Sequence, residues 1–167
     1  AYTYDIMKDR NIEALVTARD VDGYFDRVWT VHAVASLYCS ASSGLRYGRP
    51  VARKLNERHI HIEGKIGRYE KLAWFPLLNL LFAQVDLIWF LLKFVNENRI
   101  AIIRAEDPYF NGILGLVVSR LKRLPLIIGV WSNPEAIRRD TKKTLSPRLK
   151  WMWLERMLER FMLRRAD

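Results

Sequence analysis

Between Arg99 and Trp131 the hydrophobic period changes twice, and the changes mark out three elements. Ile100 to Ala105 is a β-branched apolar run and Pro125 to Trp131 is another. The segment between them carries its small residues Gly112, Gly115 and Ser119 at spacings of three and four, a helical period. Asp107-Pro108 supplies a capping oxygen and a ring that presets φ at a helix start. The pattern predicts a βαβ unit, with parallel strands covered by helices on both faces. Gly115 and Ser119 let the helix backbone approach the sheet; Gly112, in the first turn, suits packing or an anion equally. In open α/β sheets ligands sit outside the carboxyl ends of the strands, here Arg104-Ala105-Glu106-Asp107 and Trp131-Ser132-Asn133.

Elsewhere the periods are shorter. Phe25 to Val34, FDRVWTVHAV, alternates and reads as a strand whose far end carries His32 and Ser36. Asn11 to Thr17 fits a short helix or a strand. CSASSGLRYGRPVARKLNER, from Cys39 to Arg58, reads as a long loop, or a loop enclosing a short helix from Pro50 onward. Its Arg46, Arg49, Arg53 and Lys54 are candidate anion contacts, or ordinary surface charge. His59 to Glu63, HIHIE, reads as a short strand.

Leu72 to Val95 is apolar enough after Pro76 to suggest a membrane span, but Asp86 sits at its middle. Asn79, Asp86 and Lys93 recur every seven residues along one narrow helical stripe. The expectation is a helix packed between the sheet and another apolar surface. Ser146-Pro147 opens a last helix running to Arg165, with Trp153, Met157 and Phe161 on one side and Arg156, Arg160 and Arg164 on another. Packing within the domain is the first reading of that pattern, and a basic helix in a membrane interface the second.

Length and composition narrow the class. The 167 residues suit a single domain or one lobe of a larger enzyme, and 50% hydrophobic content excludes a disordered chain. Six Trp, seven Tyr and seven Phe imply a second covered surface or a membrane-facing one. Cys39, the single cysteine, allows no internal disulfide, so a reducing compartment is expected. The opening AYTYDIMKDR has no signal-peptide layout. The formal charge of +10 is concentrated late: between Arg138 and Arg165 there are ten Lys/Arg against three acids. Arg138, Arg139, Lys142, Lys143, Arg148 and Lys150, with Arg46 and Arg49, are therefore expected to face an anionic partner such as phospholipid, phosphate or nucleic acid.

Catalytic motifs are missing. There is no P-loop, no GxGxxG and no HEXXH, and His32, His59 and His61 are too few and scattered for a metal centre. His59 and His61 would share one strand face, as a core or surface pair. The chain reads as the binding half of something.

From Gly64 to Asp167 the sequence resembles the amino-terminal domain of family 4 (group 1) glycosyltransferases of the GT-B fold. The resemblance is carried by IRAEDPYFNGILGLVVSRLKRLPLIIGVWSN and by the closing LERMLERFMLRRAD. It implies a Rossmann-like three-layer α/β domain with a mostly parallel sheet, the acceptor-binding lobe of a two-lobe, cytoplasmic, retaining, metal-free transferase that uses no other cofactor. A carboxyl-terminal lobe would bind the nucleotide-sugar donor, and this lobe alone would be inactive. Glu106, Asp107, Tyr109, Asn111 and Gly112 would form an acceptor-side loop, joined by Arg104, Trp131, Ser132, Asn133 and His32. Where the family commonly has a cleft histidine this chain has Trp131-Ser132-Asn133, so no catalytic residue is carried over. Acceptors in that family are often lipid-linked sugars or polysaccharides, which gives the basic segment a reason to sit peripherally at the inner face of a membrane.

Two other classes compete. The charge and aromatics suit a nucleic-acid-binding module, though Trp151, Trp153 and Phe161 follow a helical apolar pattern and not a stacking platform. A binding or scaffold α/β domain without catalysis is the other.

Overall fold

The computed structural model describes residues 3–12, 23–38, 46–129 and 152–166. The fold is mixed α/β, with one mixed and one parallel sheet, and its backbone contacts gather into two compact units, Ala1–Phe90 and Leu91–Asp167.

The first unit is built on β1 (Val28–His32), β2 (Val51–Lys54) and β3 (His59–Glu63), in the order β1-β3-β2. β1 runs parallel to β3 with Thr30 opposite His61 and His32 opposite Glu63, while β2 is antiparallel with Arg53 opposite His61. The alternating segments predicted around Val28 and His59 are therefore strands. Val51 to Lys54 is a strand too, where the pattern predicts a long loop or a loop enclosing a short helix from Pro50 onward. Its partner decides this, because β2 is an edge completed by hydrogen bonds to β3 that no local pattern encodes. Three of its four residues are exposed, including Lys54, as suits an edge.

A methyl group on Gly64 would lie 2.1 Å from the Ala33 carbonyl oxygen, so the chain leaves β3 at a position that only glycine fills. Before the sheet, α1 (Tyr4–Asp9) is capped by Thr3, whose hydroxyl accepts from Ile6 N.

The long apolar segment is α2 (Pro76–Asn98), running through the boundary between the units and ending at Arg99 with φ 49°. Its buried positions Asn79, Ala83, Leu87, Leu91 and Val95 fall every four residues.

The second unit contains the βαβ unit, as β4 (Ile103–Ala105), α3 (Phe110–Lys122) and β5 (Leu126–Ile128). β4 and β5 are parallel, Ile103 opposite Leu126 and Ala105 opposite Ile128. Both strands are shorter than the apolar runs that announce them. Ala105, Leu126 and Met162 form a buried core with Ile103, Leu116 and Ile128 packed against it. Gly115 faces this core: a Cβ there would stand 3.3 Å from Leu126 Cδ1 and 3.5 Å from Ala105 Cβ, which is the close approach expected of it. Ser119 donates from its hydroxyl to Leu124 O at 2.7 Å, closing the turn after α3, where Arg123 takes φ 54°.

Met162 comes from α4 (Met152–Leu163), the described part of the last helix. Ser146-Pro147 lies outside the described residues. Packing accounts for only one side of α4: Met162 and Glu155 are fully buried, while Trp153, Met157 and Phe161 are exposed.

Candidate functional site

The tips of β4 and β5 adjoin, as a ligand site at the carboxyl ends of parallel strands requires. Ala105 pairs with Ile128, and Gly129 N donates to Ala105 O at 2.8 Å. Beyond Ala105 the chain turns through Glu106 and Asp107 into α3, and Asp107 organises that turn. One of its carboxylate oxygens accepts from Tyr109 N at 2.9 Å and the other accepts from the Asn111 side-chain amide. α3 accordingly begins at Phe110 and not at Pro108, because Asp107 spends its oxygens on an Asx turn ahead of the helix. Tyr109 is buried at the helix start, its hydroxyl 3.5 Å from the Glu159 carboxylate of α4. Arg104 is exposed on β4, and Glu106, Asp107 and Asn111 are partly exposed.

Gly112 belongs to packing. A Cβ would meet Asp107 O at 2.7 Å and the Met162 methyl at 3.3 Å, so the first turn of α3 is pressed between its own entry loop and α4. The clasp of Asp107, Tyr109 and Asn111 thus gathers four expected acceptor residues, with Gly112, into one preorganised turn. Its polar atoms are mostly committed to each other. Trp131, Ser132 and Asn133, expected on the second tip, lie outside the described residues, as do Arg138, Arg139, Lys142, Lys143, Arg148 and Lys150.

His32, the remaining acceptor candidate, ends β1 in the first unit, its ring centroid 5.0 Å from that of His61. It borders a feature that the periodicity of HIHIE hints at and cannot assign. His59, His61 and Glu63 all point to one face of β3 and are all buried. Thr30 on β1 holds both imidazoles, its Oγ1 3.0 Å from His59 Nε2 and 3.0 Å from His61 Nδ1. A hydroxyl has one proton, so at most one of the two rings accepts from Thr30 and at least one donates to it. Glu63 accepts from Tyr4 N at the start of α1, and Arg53 on β2 lies over the Tyr4 ring, 5.4 Å from its centroid, and 3.9 Å from Asp5. The face is a closed polar layer under α1. Among the described residues no group of three or more His, Cys, Asp or Glu is placed to hold a metal.

Of the expected anion contacts, Arg49 is exposed, while Arg46 is partly buried beside Ser36, whose hydroxyl donates to Arg46 O at 3.1 Å and accepts from Ile66 N at 3.0 Å. Lys54 engages Glu57 at 2.7 Å and holds that exposed carboxyl below its ordinary range.

Compared with known proteins, the chain matches no family model, no curated protein and no solved structure.

Proposed function

We propose that this chain is the acceptor-binding, amino-terminal lobe of a GT-B glycosyltransferase of the group 1 type, a Rossmann-like domain serving cell-envelope, lipid-linked or polysaccharide biosynthesis. One observation carries the reading: two parallel strands joined by a crossover helix end side by side, and the polar loop at the first tip is locked by Asp107 and Asn111. A rigid hydrogen-bonding loop at a strand tip is what recognition of a sugar hydroxyl needs, because preordered donors and acceptors cost less entropy on binding. The nucleotide-sugar donor would come from a second lobe, with transfer of a hexosyl group under retention and no metal. Such an enzyme would work in the cytoplasm, at the inner face of a membrane where its acceptor is lipid-linked.

The test uses the full-length gene product. A nucleotide-sugar that raises its melting temperature and is consumed in the presence of a lipid-linked or oligosaccharide acceptor is the expected result. Asp107→Ala should cost about 1 kcal/mol of stability through the lost hydrogen bonds of the Asx turn. Asn111→Ala should cost less, and both should depress transfer at least tenfold with the donor-induced thermal shift intact. Transfer that survives both substitutions removes the loop from the acceptor site, and the absence of any nucleotide-sugar response removes the transferase reading.

A further inference from the structure

α2 is turned the opposite way from a helix on a water-soluble surface. In its first three turns the polar side chains face the protein, while Lys93, Asn96 and Glu97 further along are exposed. Asn79 is 1% exposed, accepts from Arg68 N at 2.6 Å and Tyr69 N at 2.9 Å, and donates to Tyr69 O at 2.7 Å. Gln84 donates to Ala33 O at 3.3 Å, and Asp86 pairs with Arg68 at 2.8 Å. The outward positions are apolar: Leu78, Leu81, Phe82, Val85 and Trp89 are exposed and fall within about 100° of one another around the helix axis. Trp74, 90% exposed, and Leu77, 82% exposed, extend this surface at the helix start, and Trp89, 70% exposed, closes it.

We propose that this face of α2 lies in the interface of an anionic lipid bilayer. Three features favour lipid over water or a protein partner. First, inward polar groups satisfied by the protein and outward apolar ones are what a hydrocarbon environment selects, since no water is present there to pair a polar side chain. Second, exposed indole rings flank the surface, Trp74 in the turn two residues before α2 and Trp89 within the helix, with Tyr69, its ring 6.2 Å from that of Phe82, beside the first end. Third, two cations, Lys71 and Arg49, are exposed by the same end against one exposed acid, Glu70, the Arg49 loop being bonded there through Gly48 N to Gly67 O at 3.1 Å.

The helix has the length and composition of a membrane span, but three of its first turns are fastened by Asn79, Gln84 and Asp86 to the loops beside β1 and β3. A helix tied along one side to a sheet lies flat in the interface and does not cross. Independently, in the second unit, exposed Trp153, Met157 and Phe161 of α4 run beside exposed Arg156, Arg160 and Arg164, the apolar and basic pairing of an interfacial helix.

This inference deepens the membrane part of the proposed function but needs no sugar transfer. Its test is flotation of the full chain with vesicles of phosphatidylcholine, with and without phosphatidylglycerol. The wild type should float with the anionic vesicles and progressively less as salt rises. The triple variant Trp74→Ser, Leu77→Ser, Trp89→Ser changes only exposed side chains and should keep its melting temperature while losing roughly tenfold in bound fraction. Brominated acyl chains should quench the emission of a chain retaining only Trp74 and Trp89 as its tryptophans. Wild type that stays in the soluble fraction at low salt, or a triple variant that floats undiminished, overturns the proposal. So does a variant whose only change is conversion of an oligomer to a monomer, which would assign the face to a second copy. No nucleotide-sugar enters the assay, so its failure leaves the transferase reading standing.

Discussion

At the scale of single residues, Thr30 shows how much one hydroxyl can hold. It is the shared partner of His59 Nε2 and His61 Nδ1 under a helix, in a layer with almost no exposed surface. Thr30→Val keeps shape and volume and removes that partner from two buried ring nitrogens. The expected loss is about 2 kcal/mol, because a buried polar atom that loses its bond keeps its desolvation penalty. Urea unfolding measures it, and an unchanged midpoint would mean that the rings find equal partners without Thr30. The histidines of this layer were legible in HIHIE, as was the sharing of one face by His59 and His61, whereas nothing in the alternating segment of β1 singled out Thr30. The burial of the histidines was not legible either, because it depends on α1 closing over the face from far away in sequence, where Tyr4 N meets Glu63.

At the scale of elements, α2 is held by its polar residues. Asn79 satisfies the backbone at Arg68 and Tyr69 with three hydrogen bonds, so Asn79→Ala should cost about 3 kcal/mol and detach the loop before the helix. Thermal unfolding reads the cost, and faster amide exchange at Arg68 and Tyr69 reads the detachment; a loss below the error of the midpoint would refute it. The seven-residue recurrence of Asn79 and Asp86 correctly announced one stripe. It did not announce that the stripe faces inward, since an otherwise apolar helix has no local preference for which side meets the protein. Lys93, the third member, instead points to solvent 3.7 Å from Glu97. The βαβ unit was legible for the opposite reason: two β-branched runs around a helix with small residues fit only one arrangement. β2 was not legible, and its segment reads as loop or as loop with a short helix, because its strand character comes from pairing with β3 and not from Val51-Ala52-Arg53-Lys54 itself.

At the scale of the whole molecule, a charge of +10 and exposed tryptophans on two helices suggest an anionic partner with an apolar phase behind it. That combination separates lipid from nucleic acid, because bases stack on aromatics presented singly on a sheet face or loop, not on a continuous helical surface. Binding to single-stranded DNA should therefore be weak, vanish by physiological salt and be unchanged by the Trp74, Leu77 and Trp89 substitutions. A filter-binding titration checks this; affinity that persists in salt and falls with those substitutions would favour the nucleic-acid module instead. The transferase reading and the membrane surface meet in a lipid-linked acceptor, yet each has its own test.

The amino-acid sequence by itself determined the period of each segment, and with it the strands at His59 and Ile103, the long helix after Pro76, and the small residues that bring α3 onto β5. These are local properties, written in side-chain spacing and in the backbone preferences of glycine and proline. Tertiary structure alone decided which side of α2 and α4 is turned outward, that two buried histidines share one threonine, and that Asp107 closes its own loop. Those outcomes depend on burial and hydrogen bonds between residues distant in sequence, whose free energy exists only once the partners have met.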